Sequence, residues 1–184
     1  MQRMDGLINA LLKLSQFGRR VLKPERLDMN ALVRTVGESL MHQTREQNAV
    51  LSVGELPGVV ADRTAMEQVM SNLLDNAMKY LRPDCPGVVE VSGERVNEEL
   101  VFHVRDNGRG INSDDMPKLF RIFRRLGEQN TSGEGVGLAY ARSIVRKHGG
   151  RIWCESELGV GTTFSFTVPR RHEGEERRLF NDKN

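Results

Sequence analysis

Apolar residues at the start of the chain fall at steps of three and four: Met4, Leu7, Leu11, Leu14, Phe17 and Val21. This is the stripe of an amphipathic helix over residues 1–22, and such a stripe needs a partner surface. Pro24 stops it, a hinge is expected at 23–27, and Asp28 caps a second helix that buries Met29, Leu32, Val33, Val36 and Leu40. After residue 49 the pattern changes to short strands alternating with helices. Val50–Val53 and Val59–Val60 read as strands around a Gly–Pro turn, and Asp62 caps a helix running to about Leu81. Val88–Ser92 and Leu100–Arg105 are further strands, the second with Leu100, Phe102 and Val104 on one face. A helix over Val136–His148 ends at Gly149 and Gly150, and strands at Ile152–Glu155 and Thr163–Val168 flank the turn from Glu157 to Gly161. The expected architecture is α/β, one mixed sheet covered by helices, with an N-terminal helical arm.

Composition adds mainly exclusions. With 184 residues, 38% of them hydrophobic, the chain can bury the core of one domain. A net charge of +2, from 27 basic and 25 acidic residues, gives no argument for nucleic acid. The charged stretch from Arg170 to Arg178 is expected to be a disordered tail. Cys85 and Cys154 have no partner at zinc-ligand spacing and read as idle thiols in a reducing cytosol. No run approaches the roughly 18 apolar residues of a membrane span. The expected location is cytoplasmic, either free or as the cytoplasmic part of a membrane-bound parent.

Three segments go beyond simple packing. On the helix after Asp62, the positions Asn72, Asn76 and Lys79 share one edge beside the core face. Asparagine is a poor helix-interior residue, so two of them one turn apart suggest another task. An amide oxygen suits a magnesium ion that also carries phosphate oxygens, and a lysine suits the phosphates. The same residues would also serve as plain surface polarity. Asp106-Asn107-Gly108-Arg109-Gly110 follows a strand directly. Asp-Asn-Gly is ordinary turn chemistry, but the second glycine would let the backbone approach a flat ligand. A carboxylate there can accept from adenine's exocyclic amino group and would repel guanine's oxygen. Finally, Gly133, Gly135 and Gly137 alternate before a helix start, with Val136 and Leu138 between and after them. Backbone N–H groups in such a turn can hold phosphate, and the polar stretch from Gly127 to Ser132 reads as a nucleotide lid.

In this order, the asparagine helix, the Asp-x-Gly-x-Gly turn, the pair Phe120 and Phe123, and the Gly-x-Gly-x-Gly turn resemble the N, G1, F and G2 boxes of sensor histidine kinases. The segments Lys147–Trp153 and Gly159–Phe164 are similar to the family's closing strands, so the likeness runs from about residue 1 to Pro169. The resemblance implies the Bergerat fold, a two-layer α/β sandwich, and Mg-ATP as the ligand. It implies three parts: a remnant of the dimerisation helix with its hinge (1–27), the ATP-binding catalytic domain (28–169) and a charged tail (170–184). By position, Asn76 would bind magnesium and Asn72 would support it. Lys79 would face phosphate, Tyr80 would stack near adenine, and Asp106 would read the amino group. Gly108 and Gly110 would shape the base pocket. Gly133, Gly135, Val136, Gly137 and Leu138 would form the phosphate-holding turn, and Arg125 would neutralise γ-phosphate charge.

The first helix resembles the end of the second helix of the kinase's dimerisation hairpin. The phosphoacceptor histidine belongs to the hairpin's first helix, and none of His42, His103, His148 and His172 has its motif. The implied partners are ATP, the parent's dimerisation and phosphoacceptor domain, a response regulator, and a second copy in a full-length homodimer. The alternatives are a non-catalytic nucleotide-binding module docked to a partner kinase and an anti-sigma-type serine kinase. A chaperone or mismatch-repair ATPase would carry glutamate in place of Asn72.

Overall fold

The computed structural model describes residues 19–43, 49–120 and 136–170, without the side chains of residues 41–43. Its elements in chain order are β1 (Pro24–Leu27), α1 (Met29–Gln43), β2 (Val50–Val53), β3 (Val59–Asp62) and α2 (Arg63–Lys79). They continue with β4 (Val88–Val96), β5 (Glu99–Asp106), a 3-10 helix (Ser113–Lys118), α3 (Gly137–Lys147), β6 (Ile152–Glu157) and β7 (Gly161–Pro169). The five-stranded sheet has the order β2-β4-β5-β7-β6. β2 runs parallel to β4 and the other pairs are antiparallel.

Side-chain alternation sends Val89, Val91, Leu100, Phe102, Val104, Phe164, Phe166 and Val168 into one buried cluster with the helices. Phe102 and Phe166, paired across β5 and β7, stack with centroids 5.1 Å apart. Against this face α2 buries Met66, Val69, Met70, Leu73, Leu74 and Ala77, so its opposite edge is free to carry polar groups. Cross-strand neighbours on the other side of the sheet are mostly polar, with Trp153 and Val101 as apolar members. Ser92, His103, Ser165 and Trp153 form one row, and Glu90, Arg105, Thr163 and Glu155 the next.

The expected hinge at 23–27 is corrected by the structure, because Pro24–Leu27 is a strand. It pairs antiparallel with β3, from Pro24 opposite Asp62 to Leu27 opposite Val59. The proline does not prevent this, since it sits at the strand's first residue, where a missing N–H is tolerated. Leu27 is buried and holds the strand to the core. β1 and β3 therefore make a separate two-stranded sheet, not part of the larger one. Of the N-terminal helix, residues 1–18 lie outside the described residues, as does the tail from 171.

Both expected caps are present. Asp28 Oδ1 accepts from Ala31 N at 3.1 Å. Asp62 Oδ1 accepts from Ala65 N at 3.0 Å and caps α2. Asp62 also has a second task, joining four segments. Its Oδ2 accepts from Lys23 N at 2.9 Å, and Arg20 Nη2 reaches the same oxygen at 3.3 Å. Its own N–H donates to His148 Nε2 at 3.3 Å, while His148 Nδ1 lies 2.8 Å from Ile144 O. Through its two ring nitrogens His148 ties the end of α3 to the start of α2. Burial alone would raise the Asp62 carboxyl, but the Lys23 and Ala65 N–H groups and the Arg20 charge outweigh it and hold it below the usual range.

Asp62→Ala is expected to cost about 2–3 kcal/mol, the loss of a cap plus buried donors left unpaired. A carboxyl depressed in the folded state stabilises fully above its unfolded value, and that contribution is lost as pH falls through the folded value. The gap between wild type and variant in urea denaturation should thus be constant near neutrality and narrow below about pH 4. A gap that grows in acid would overturn this account.

Candidate functional site

Two of the three polar segments, and the described start of α3 from the third, lie near the ends of α2 and β5. β5 ends at Asp106, which pairs with Thr162 at the start of β7. The Asp106 carboxylate is 5% exposed, and Oδ1 accepts from Gly108 N at 2.9 Å and from Thr162 N at 3.2 Å. Among the described residues Oδ2 takes no hydrogen bond. Burial pushes this carboxyl up to about 6, against the lowering effect of the two N–H groups. The site thus holds a positioned acceptor whose solvation has been stripped away, which favours a ligand that brings a donor.

Close backbone contacts build the walls. A Cβ on Gly108 would stand 2.3 Å from Tyr80 O, and one on Gly161 would stand 2.1 Å from Asp106 O. Gly110 has φ +69°, and a Cβ there would meet Glu157 O at 2.0 Å. Its neighbour Arg109 is tied through both backbone groups. Arg109 N donates to Tyr80 O at 2.9 Å, and Gly159 N donates to Arg109 O at 2.8 Å. Asp-x-Gly-x-Gly is here more than a hairpin turn, because it packs against the end of α2 and against the β6–β7 turn.

On α2, Asn72 and Asn76 lie half-buried along the predicted edge. Asn76 Nδ2 donates to Asn72 O at 2.8 Å, which leaves Oδ1 without a donor among the described residues. Asn72 Nδ2 is buried and has no hydrogen-bond partner among them. A group in that condition costs about 1–3 kcal/mol and calls for an explanation. The start of α3 lies against the same residue, a Cβ on Gly137 falling 3.0 Å from Asn72 Oδ1. Val136, the N-cap, makes no side-chain cap, so among the described residues the first N–H groups of α3 have no capping side chain. Leu138 packs on the core.

Lys79 pairs with Asp75 at 2.6 Å, one turn back on α2. The Tyr80 ring lies under the Arg109 guanidinium, 4.4 Å from centroid to Cζ. Arg125, Gly133 and Gly135, with Phe123, lie outside the described residues. Phe120 is described and meets Phe164 edge-on, with centroids 6.4 Å apart.

Several residues around Asp106 have no signal in the sequence. Thr162 stands out there only as part of a closing strand, yet its N–H fixes Asp106. Ser156 Oγ accepts from Ile111 N and lies 2.9 Å from Thr162 Oγ1. The Cys154 thiol is pushed up to about 12 by burial, then by Asp106 and Glu155, which makes it inert as a nucleophile. Such contacts join residues far apart in sequence, and no local spacing reveals them.

Comparison with known proteins identifies the family and the fold. Residues 61–172 match the family described as histidine kinase-, DNA gyrase B- and HSP90-like ATPases. The methanogenesis regulatory histidine kinase FilI of Methanothrix harundinacea is 39% identical over 168 residues, 91% of this chain and 19% of that protein. The chain thus spans about a fifth of this relative. The mycobacterial sensor histidine kinase MprB superposes with a TM-score of 0.71 at 26% identity, covering 80% of this chain and 100% of that one. Full-length ShkA, solved in complex with AMPPNP, gives a TM-score of 0.76 at 27% identity over 89% of this chain and 35% of that one. From its asparagine helix to its last strand, the chain belongs to the histidine kinase-, DNA gyrase B- and HSP90-like ATPase family, with the α/β fold of the catalytic domains of sensor histidine kinases.

Proposed function

We propose that this chain is the ATP-binding catalytic part of a two-component sensor histidine kinase, which holds Mg-ATP and passes its γ-phosphoryl to a histidine on the parent's dimerisation domain. A response regulator then takes the phosphoryl group, and the parent works as a homodimer on the cytoplasmic side. Nucleic acid has no part in this reading. The observation that carries it is the buried Asp106 carboxylate with one oxygen pinned by Gly108 and Thr162 and the other open.

In this reading Oδ2 accepts from the exocyclic amino group of adenine, and guanine, which presents an oxygen there, is repelled. Gly108 and Gly110 let the turn pack against the end of α2 and the β6–β7 turn, which shapes the pocket, and Tyr80 supplies an aromatic surface for the base. The phosphates then extend along α2 towards Asn76 and Asn72. Asn76 Oδ1 suits a magnesium ion, which would neutralise phosphate charge when bound. Asn72 suits a phosphate oxygen or a water held beside that ion, since its orphaned Nδ2 is a donor awaiting an oxygen. Lys79 reaches phosphate by exchanging its partner Asp75. The N–H groups at Val136, Gly137 and Leu138, continued by Gly133 and Gly135, receive phosphate oxygens, and Arg125 offsets charge on the γ-phosphoryl. An amide at position 72 cannot take a proton from water. That favours transfer to an acceptor over hydrolysis.

Calorimetric titration tests the reading. The chain should bind ATP with magnesium at least tenfold more tightly than GTP, on the scale of one unpaired polar group in a pocket. Asn76→Ala should bind ATP equally with and without magnesium. Equal affinity for ATP and GTP, or a full metal effect in the variant, would overturn the assignment.

A further inference from the structure

We propose that Arg109 is a positioning residue of the nucleotide site, whose guanidinium fixes the plane of Tyr80 and so presets the surface on which the base stacks. The inference deepens the adenine-site reading and rests on it. Tyr80 is the C-cap of α2, with φ −107° and ψ 13°, one residue past the regular helix. Helix packing therefore does not hold its ring, which is half-buried. Arg109 supplies the restraint on the ring through its guanidinium, and two backbone bonds hold Arg109 in place to do so. Its N–H binds Tyr80 O, its carbonyl receives Gly159 N, and its guanidinium lies 4.4 Å from the ring centroid. The bare α-carbon of Gly108 permits this approach, since a Cβ there would overlap Tyr80 O.

The position separates Arg109 from a phosphate-binding arginine. Asn76 and Asn72 lie one and two turns towards the N-terminus of α2, about 6 and 12 Å along the axis from Tyr80. Arg109 stacks at the opposite end, where the base belongs. A planar guanidinium over an aromatic ring is attracted to its negative face and also stiffens it. Lysine keeps the charge and loses the planar stack, so the two contributions can be told apart.

Calorimetric titrations of adenosine, ADP and ATP into wild type, Arg109→Ala and Arg109→Lys test the proposal, with near-ultraviolet circular dichroism reporting the tyrosine environment. Arg109→Ala should weaken all three ligands alike, by about fivefold, as expected of a half-exposed cation–π contact. Arg109→Lys should recover part of that loss. On a Tyr80→Ala background, Arg109→Ala should have no further effect, because the group it positions is gone. A loss confined to ADP and ATP would make Arg109 a phosphate ligand, and additive losses with Tyr80→Ala would remove the positioning role. Unchanged or tighter binding in Arg109→Ala would overturn it as well. A wild-type chain that binds none of the three ligands would instead overturn the adenine site itself.

Discussion

Asp106→Asn is expected to make the chain more stable and its nucleotide site worse. The carboxyl is raised to about 6, chiefly by burial, against an unfolded value near 3.8. A group raised on folding takes up a proton in the folded state between those two values, so stability increases as pH falls through about 6, and the full cost of the buried charge is felt above it. A tenfold change in proton affinity corresponds to about 1.4 kcal/mol, which puts the cost near neutrality at roughly 1–3 kcal/mol. Asparagine keeps an oxygen for the Gly108 and Thr162 N–H groups and carries no charge. At pH 7.5 the variant should melt several degrees higher, about 2–4 °C per kcal/mol for a chain of this size. Its second group is now an amino group, facing the amino group of adenine. Two donors in one pocket leave both unpaired, and ATP should bind about 10- to 100-fold more weakly. Scanning calorimetry and titration measure the two effects separately. Lower stability at pH 7.5, or unchanged ATP affinity, would defeat the explanation. In the wild type the same carboxyl should make ATP affinity flat above pH 7 and falling below about 6. Asp62 has the opposite sign, since its depressed carboxyl destabilises the fold only in stronger acid.

Periodicity makes the fold legible wherever burial is one-sided. α2 shows its core face as Met66, Val69, Met70, Leu73, Leu74 and Ala77, and β5 shows Leu100, Phe102 and Val104 by strict alternation. Pro24–Leu27 reads as a hinge because four residues are too few for a period, and proline suggests an end to structure where it only marks the edge of a strand. For the site, the sequence reveals groups that depart from what packing requires, such as Asn72 and Asn76. It does not reveal groups whose role comes from the topology of the sheet. Thr162 meets Asp106 only because β7 pairs with β5, and Arg20 meets Asp62 only because β1 folds back on β3. Arg109 shows the same limit. Its position in the motif is visible, but its contact with Tyr80 depends on where α2 ends.

Gly110→Ala is expected to disable both the fold's edge and the site, whereas Gly159→Ala is expected to be mild. Both glycines have positive φ, +69° and +83°, so each alanine incurs the left-handed penalty of about 1–2 kcal/mol. Their surroundings differ. Nothing lies within 4 Å of a Cβ on Gly159, while one on Gly110 would stand 2.0 Å from Glu157 O and 2.6 Å from Glu157 C. A clash with backbone has no rotamer to relieve it. The Asp106–Gly110 turn must lift from the β6–β7 turn, breaking the bonds from Gly159 N to Arg109 O and from Ile111 N to Ser156 Oγ. With them goes the setting of Gly108 N and Thr162 N on the Asp106 carboxylate. The added cost of overpacking and of the broken bonds is about 2–4 kcal/mol, for a total above about 3 kcal/mol. Thermal and urea denaturation should place Gly110→Ala far below wild type and Gly159→Ala only about 1–2 kcal/mol below it. Nucleotide titration at low temperature should find ATP binding lost in the first and nearly intact in the second. Equal destabilisation of the two would mean that conformation alone, and not the close approach of two backbones, makes glycine necessary at the second position of the motif.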